Sequence, residues 1–433
     1  MRILSIIVAV ALGSALPKSL QAQTWTLNDC LAYALEHNTD IAKRINECQR
    51  REVQWQSSKD ARLPVVSSNI EEDINTGTFT GTGIPMKANL AFTLFEMSAS
   101  MPLYTGSRLT SQIRSDKFSL LAAKEDLQDA MKNLKVNVAS YYLQVLYNKG
   151  EIDIARKRLE VSYKMLNRAK SLYDKGKCPE SDVAEAEATA TRDESLLTTA
   201  EADYTMALLT LTQLLNLPAT EAFEVCEPDG EYLSQQLPSF NEVYSKVENT
   251  YPSVKSADYT IHKAQQDVKV ARSGYYPTLS LGASFRDYYY GLFDGGNPGL
   301  GTQLKDSYQA MVGLKLSIPI FNAFDTRNKI RRAKIGLMNA KVVLDDKKLQ
   351  LRKNIEQAYF NALTAQKKYA AEVKAESANS LSYKYVEKRY DSGRSTIFDL
   401  NQSRQMWFSA SENALRAKYE FLIRKKILDI YVE

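Results

Sequence analysis

At 433 residues, with 25% charged and 44% hydrophobic side chains, the chain has the composition of a folded protein and room for two or three ordinary domains. A formal net charge of +5 is too mild to imply a nucleic-acid partner.

The first 22 residues stand apart: Arg2 opens them, an apolar core runs from Ile3 to Leu12, and small and polar residues lead to Ala22. That order is a secretory leader, with cleavage expected after Ala22. A membrane anchor is the weaker reading, because the apolar run is about half of the ~20 residues a spanning helix needs. Cleavage removes Arg2 and Lys18 and takes the charge from +5 to +3. No later segment could cross a membrane as a helix, so entry into a membrane would have to use strands.

A helix is expected over 27–61. It would hold both Cys30 and Cys48 about 27 Å apart, beyond disulfide reach. With Cys178 and Cys226 these are read as buried free thiols. No cysteine stands at the expected mature N-terminus, so a lipid anchor there is not expected. A hairpin follows between Pro64 and Pro102, with the glycine-rich tip "TGTFTGTGIP" from Thr76. No proline lies between Pro102 and Pro179, which leaves 107–174 free to form one helix of roughly 100 Å. The turn "YDKGKCPESDV" from Tyr173 leads to a helix over 180–215. The segment 218–238, with three prolines and a glycine, is a linker.

After the linker the same plan is written again. Sliding the chain by 213 residues brings Pro64 onto Pro277, and sliding by 217 brings Pro102 onto Pro319, Tyr142 onto Tyr359, Gly176 onto Gly393 and Asp182 onto Asp399. The chain is therefore expected to hold two structural repeats, 23–217 and 239–433. The second has helices over 242–273, 325–391 and 396–432, with the turn "YDSGRSTIFDL" from Tyr390. Ile113, Leu120, Leu127, Leu134 and Tyr141 recur every seven residues, as do Ile330, Leu337, Leu344, Leu351 and Ala358. A strict heptad predicts a coiled-coil seam.

The strands of the second repeat alternate with period two. Leu279, Leu281, Ala283 and Phe285 oppose Thr278, Ser280, Gly282, Ser284 and Arg286. Tyr308, Ala310, Val312, Leu314, Leu316 and Ile318 oppose Gln309, Gly313, Lys315 and Ser317. The tip between them, "GLFDGGNPGLG" from Gly291, is glycine-rich, and tyrosines flank the third strand. In the first strand Glu72 falls on the apolar side. This alternation fits a soluble hairpin as well as a membrane one. Four strands cannot close a barrel, since roughly eight are needed, so either the hairpins cover a soluble core or several chains pool their strands.

With the duplicated plan, the hairpins ending in "MPLYTG" and "IPIFNA", and the paired tip motifs, the whole mature chain resembles the TolC-like outer-membrane efflux proteins. The resemblance implies a mainly α fold with membrane β: long antiparallel coiled-coil helices plus four β-strands per chain. Three chains would form a 12-stranded barrel and a helical periplasmic tunnel. It implies a passive exit duct of a tripartite efflux or type I secretion system in the outer membrane of a Gram-negative-type envelope. Its partners would be a periplasmic adaptor, an inner-membrane pump of RND or ABC type, and outer-membrane lipid. Gly176 and Gly393 would end the long helices at the periplasmic tips. Asp399 would form a ring of three carboxylates at the mouth, with Gln402 where the family has a second acid. Tyr390 and Asp182 match positions that tie the tips by hydrogen bonds. Arg394 stands beside Ser395, where the family's tip arginine is expected. Read without the resemblance, Asp182 and Asp399 are solvated helix caps.

No catalytic constellation, metal cluster or phosphate loop is present in the sequence, so neither enzyme activity nor a cofactor is expected. His37 and His262, the only histidines, read as solvated helix residues. The basic run "RNKIRRAK" from Arg327 reads as a solvated helix face or as a contact with anionic groups at a membrane edge. The rival to the duct is a soluble periplasmic coiled-coil scaffold.

Overall fold

The computed structural model describes residues 23–79, 86–217, 223–227, 237–293 and 299–433. The expected leader, most of the linker and parts of both hairpin tips lie outside the described residues.

In chain order, β1 (Gln23–Trp25), α1 (Leu27–His37) and α2 (Thr39–Asp60) lead to β2 (Val65–Phe79) and β3 (Met86–Tyr104). Then come α3 (Arg108–Asp174), α4 (Glu180–Leu215) and β4 (Phe223–Val225). The second half holds α5 (Phe240–Val247), α6 (Pro252–Arg272), β5 (Thr278–Leu292), α7 (Leu300–Asp306), β6 (Gln309–Ser317), α8 (Asp325–Asp391) and α9 (Ile397–Val432). The long helices α3 and α8 each have 67 residues, and α4 and α9 each have 36. The boundaries of each pair are related by the single offset of 217. The first helix of each half opens on the same reciprocal cap. Thr26 N donates to Asp29 (3.0 Å) and Asp29 N to Thr26 Oγ1 (3.3 Å), while Ser239 N donates to Glu242 (3.0 Å) and Glu242 N to Ser239 Oγ (3.4 Å).

Two expected helices are each broken once. Asn38 is extended, and its Oδ1 accepts from Asp40 N (2.9 Å) and Ile41 N (3.2 Å), so the side chain starts a new helix instead of continuing the old one. Cys30 and Cys48 thus lie on separate helices rather than sharing one. In the second half Tyr251 is extended ahead of Pro252, which sits at the first helical position and cannot continue a helix from before it. All four cysteines are free; Cys30 is buried, but Cys48, Cys178 and Cys226 are half-buried, not fully so.

The chain divides into two compact units, and α3 and α8 each run through both. The first comprises Met1–Ala42, Ala130–Val247 and Arg352–Glu433. Its core includes Cys30, Val138, Tyr142, Leu146, Leu211, Ile355, Phe421 and Leu428, each buried. The β1 strand pairs in parallel with β4, Trp25 opposite Val225. Tyr142 clamps that pair: its Oη lies 2.5 Å from the Cys226 carbonyl and 3.1 Å from that of Trp25. The heptad seam departs from the expected register here. Leu134 is buried but Tyr141 is 42% exposed, and the core passes to Val138, Tyr142 and Val145. A helix of 3.6 residues per turn drifts off a strict seven-residue repeat unless it supercoils to follow it.

The second unit comprises Lys43–Asp129 and Glu248–Leu351. Its sheet has the order β2-β3-β5-β6, antiparallel throughout. The register sorts the faces. Leu279, Leu281, Ala283 and Phe285 stand opposite Leu316, Leu314, Val312 and Ala310, while Ser280 meets Lys315 and Arg286 meets Gln309. On the next pair Met97 meets Phe285 on the apolar face and Glu96 meets Arg286 on the polar one. Glu72, on the apolar face, accepts a hydrogen bond from Thr93 directly opposite. Beyond the end of β6, the outer part of β5 keeps β3 on one side and, among the described residues, has no strand on the other. Gln303 of α7 fills the place: its amide accepts from Tyr290 N and donates to Tyr290 O, both at 2.9 Å. The glycine-rich tip therefore carries a short helix that the sequence reading did not foresee.

Candidate functional site

The two tip turns and the helices that leave them belong to the first unit. Both turns have one geometry. Gly176 (φ +68°) and Gly393 (φ +71°) occupy the left-handed region that a side chain makes costly. Lys177 N donates to Leu172 O (2.9 Å) and Gly176 N to Tyr173 O (2.8 Å). Arg394 N donates to Arg389 O (2.8 Å) and Gly393 N to Tyr390 O (3.0 Å). These paired bonds close the last carbonyls of α3 and α8 and stop each helix at the same place.

The outgoing helices start differently. Thr396 caps α9 through a reciprocal box: Thr396 N (3.1 Å) and Thr396 Oγ1 (2.8 Å) donate to Asp399, and Asp399 N donates to Thr396 Oγ1 (3.1 Å). Ser395 Oγ adds a third donor at 3.1 Å. The bonds from the Thr396 backbone and side chain and from Ser395 hold the Asp399 carboxyl below its usual range. At the mate of Thr396 stands Pro179, which gives α4 no side-chain cap, and among the described residues Asp182 there accepts a single long contact from Ser181 Oγ (3.5 Å).

Tyr390 and Asp182, expected to be tied, are near one another without a hydrogen bond between them in the described structure. Burial raises the Tyr390 phenol above its ordinary value, with Asp182 adding to the rise and Arg168 opposing it. The Arg168 guanidinium lies 5.0 Å from the centre of the Tyr390 ring and pairs with Asp391. Arg394 and Gln402 are exposed. Near the tips, Asn401 Nδ2 of α9 donates to Glu185 of α4 at 3.0 Å.

Behind the second tip, Tyr383, Leu400, Trp407 and Phe408 form a buried cluster. Tyr383 stacks on Trp407 (ring centres 5.0 Å apart) and Trp407 on Phe408 (4.6 Å). A half-open groove of about 370 Å³ lies over it, with Lys157, Lys164, Arg168 and Lys384 in its lining. Behind the first tip the corresponding positions are Leu166, Val183 and Ala190, packed with Ala169 and Ala186. Deeper still, Arg404, Asp193 and Ser162 form a buried polar cluster. Arg404 Nη1 lies 2.7 Å from Asp193 Oδ2, and Ser162 Oγ contacts both. The sequence reading missed it. Neither charge has a neighbour in sequence that marks it, and an arginine on a long helix reads as solvent-facing.

Among the described residues no three His, Cys, Asp or Glu side chains are grouped to hold a metal, and no helix is long and apolar enough to cross a membrane.

The sequence model of the outer membrane efflux protein family matches residues 31–217 and again 243–429. The chain is 21% identical over 417 residues to the outer membrane efflux protein BepC of Brucella suis biovar 1, covering 96% of this chain and 87% of that one. It is 22% identical over 432 residues to the outer membrane protein TolC of Vibrio cholerae serotype O1, covering 98% and 93%. Its fold matches the crystal structure of CusC with a TM-score of 0.80 at 17% identity, covering 94% of this chain and 91% of that one.

Proposed function

This chain belongs to the outer membrane efflux protein family, and from that premise we propose that it is the passive outer-membrane exit duct of a tripartite system. The family is one of TolC-like channels of the outer membrane. In the proposed assembly three chains pool their strands into a 12-stranded barrel, and their helices line a periplasmic tunnel. A periplasmic adaptor and an inner-membrane pump deliver cargo to the tunnel mouth, and the duct itself neither catalyses a reaction nor holds a cofactor.

The observation that carries this reading is the unfinished surface of the single chain. Among the described residues, β2 and β6 each have one edge without a strand partner, and lipid tolerates no open edge. The apolar sheet face lies bare, with Ile70 69%, Val312 76% and Leu314 66% exposed. The long helix α8 also has a second apolar stripe, Ile335, Met338, Val342 and Leu349, each more than half exposed. Edges, sheet face and stripe all call for burial against further copies and lipid.

At the mouth, Asp399 from three chains would converge around one axis, with Gln402 one turn further on. Three close carboxylates attract cations and disfavour anions, and a polyvalent cation can bridge them. Planar-bilayer recordings test both parts. Wild-type protein should form cation-selective channels blocked by hexaamminecobalt(III), with a detergent-solubilised protein mass near three chains. Asp399→Ala should weaken block and selectivity. A stable monomer in detergent-free buffer overturns the duct, and unchanged block in Asp399→Ala overturns the ring.

A further inference from the structure

We propose that the buried Arg404–Asp193–Ser162 cluster is the positioning device of the mouth, fixing the rotation of α9 so that Asp399 and Gln402 face away from the helix packing. This inference rests on the pore reading above.

The cluster joins three helices. Ser162 is on α3, Asp193 on α4 and Arg404 on α9, so one contact ties the first half of the chain to the second. Its side chains are almost fully buried, Arg404 at 5% and Asp193 at 4% exposed. Arg404 Nε is buried with no hydrogen-bond partner among the described residues. Removing two charges from water costs several kcal/mol each, and an apolar pair of similar volume would hold the helices together at least as well. Stability therefore does not explain the pair; the use that such buried pairs serve best is to select one packing over its neighbours.

Geometry identifies what is selected. Each residue turns an α-helix by about 100°, so Gln402 lies about 160° round α9 from Arg404, and Asp399 about 140°. With Arg404 held inward, both candidate mouth residues are held on the opposite face, and both are exposed. The apolar neighbours on the inward face, Leu400, Trp407 and Phe408, cannot do this alone, because a broad apolar stripe tolerates small rotations. A guanidinium facing one carboxylate and one hydroxyl is far more directional. The adjacent Arg158, paired with Glu412 at 2.9 Å and 5.1 Å from the Phe408 ring, braces the same face of α9.

The device is also singular. The mates of Ser162, Asp193 and Arg404 at the 217-residue offset are Asn379, Ala410 and Glu187, which cannot rebuild it. The outgoing helix that carries the arginine, α9, also carries the Thr396 cap, whereas α4, which supplies Asp193, has no side-chain cap, and its Asp182 is not held as Asp399 is.

The test is a double-substitution cycle on the assembled protein in planar bilayers, reading the concentration of hexaamminecobalt(III) that halves the current. Arg404→Gln should raise that concentration by on the order of tenfold although Asp399 is intact, matching Asp399→Ala. The double variant should be no worse than either single one, because Arg404 acts through Asp399. Unchanged block in Arg404→Gln, or full addition of the two effects, overturns the proposal. If Arg404→Gln does not assemble, Ser162→Ala takes its place with a smaller shift expected in the same direction, and no shift overturns the proposal. If Asp399→Ala itself has no effect, the pore ring fails separately. Hydrogen exchange over 397–403 then decides the positioning role, faster exchange in the cluster variant supporting it and equal exchange overturning it.

Discussion

Glu96 and Arg286 stand directly opposite each other on β3 and β5 and share an ion pair of 2.8 Å on the polar face of the sheet. Their register forces Met97 and Phe285 to meet on the other face, so one polar contact reports the setting of both strands. Arg286→Glu places like charges opposite one another. It should destabilise the assembled protein by roughly 0.2–1 kcal/mol, read as a lower melting temperature of the detergent-resistant oligomer. The exchange Glu96→Arg with Arg286→Glu should restore it.

Leu314 and Lys315 are neighbours on β6 that point to opposite faces. Leu314→Arg should cost about 2–4 kcal/mol if the residue lies near the bilayer midplane, and should impair membrane assembly. Lys315→Leu, on the polar face, should leave assembly intact. Equal yields of the two variants in the membrane fraction would overturn the assigned faces.

The Asp399 cap should respond to acid. Its carboxyl titrates below the ordinary value of 3.8, so the cap is complete above that value and is lost as pH falls through the lower folded one. Protection of the first turn of α9 against hydrogen exchange should be flat from neutral pH down to about pH 5 and fall below about pH 4. Thr396→Ala should shrink the step without abolishing it, since the backbone N–H of residue 396 and Ser395 Oγ still donate to the carboxylate, and should weaken the helix start by about 0.5–2 kcal/mol at neutral pH.

Tyr142→Phe removes the hydroxyl that holds β1 to the segment after β4. A net loss of about 1 kcal/mol is expected, more if a carbonyl is left buried without a donor. Exchange at 23–26 and 223–226 should rise together while exchange within α3 stays unchanged. A rise confined to one strand would mean that Tyr142 does not couple them.

Much of this architecture was readable from local chemistry. Proline placement and the 217-residue offset marked both ends of α3, α4, α8 and α9, because a proline-free run bounded by glycine leaves a helix few other places to stop. Alternation marked the faces of β5 and β6 for the same local reason. The breaks at Asn38 and Tyr251 were harder to see, since a single capping side chain or one proline ends a helix without disturbing the apolar period around it. The passage of the core from Leu134 to Tyr142 depends on which neighbours α3 meets. Gln303 beside Tyr290, 13 residues back, and Arg404 beside Asp193, 211 residues back, lie beyond any helical or strand period. At the tips the sequence marked the glycines, while Arg168 beside the Tyr390 ring comes from a helix far away in the chain.

The two tips share their backbone hydrogen bonds but not what lies behind them: Tyr383, Leu400 and Trp407 support one, and Leu166, Val183 and Ala190 the other. A molecule that recognises only the turn meets two equivalent places on every chain. One that recognises the stacked rings meets a single place. Stoichiometry thereby becomes a diagnostic of recognition: two bound copies per chain indicate the main chain of the turns, and one indicates the aromatic side.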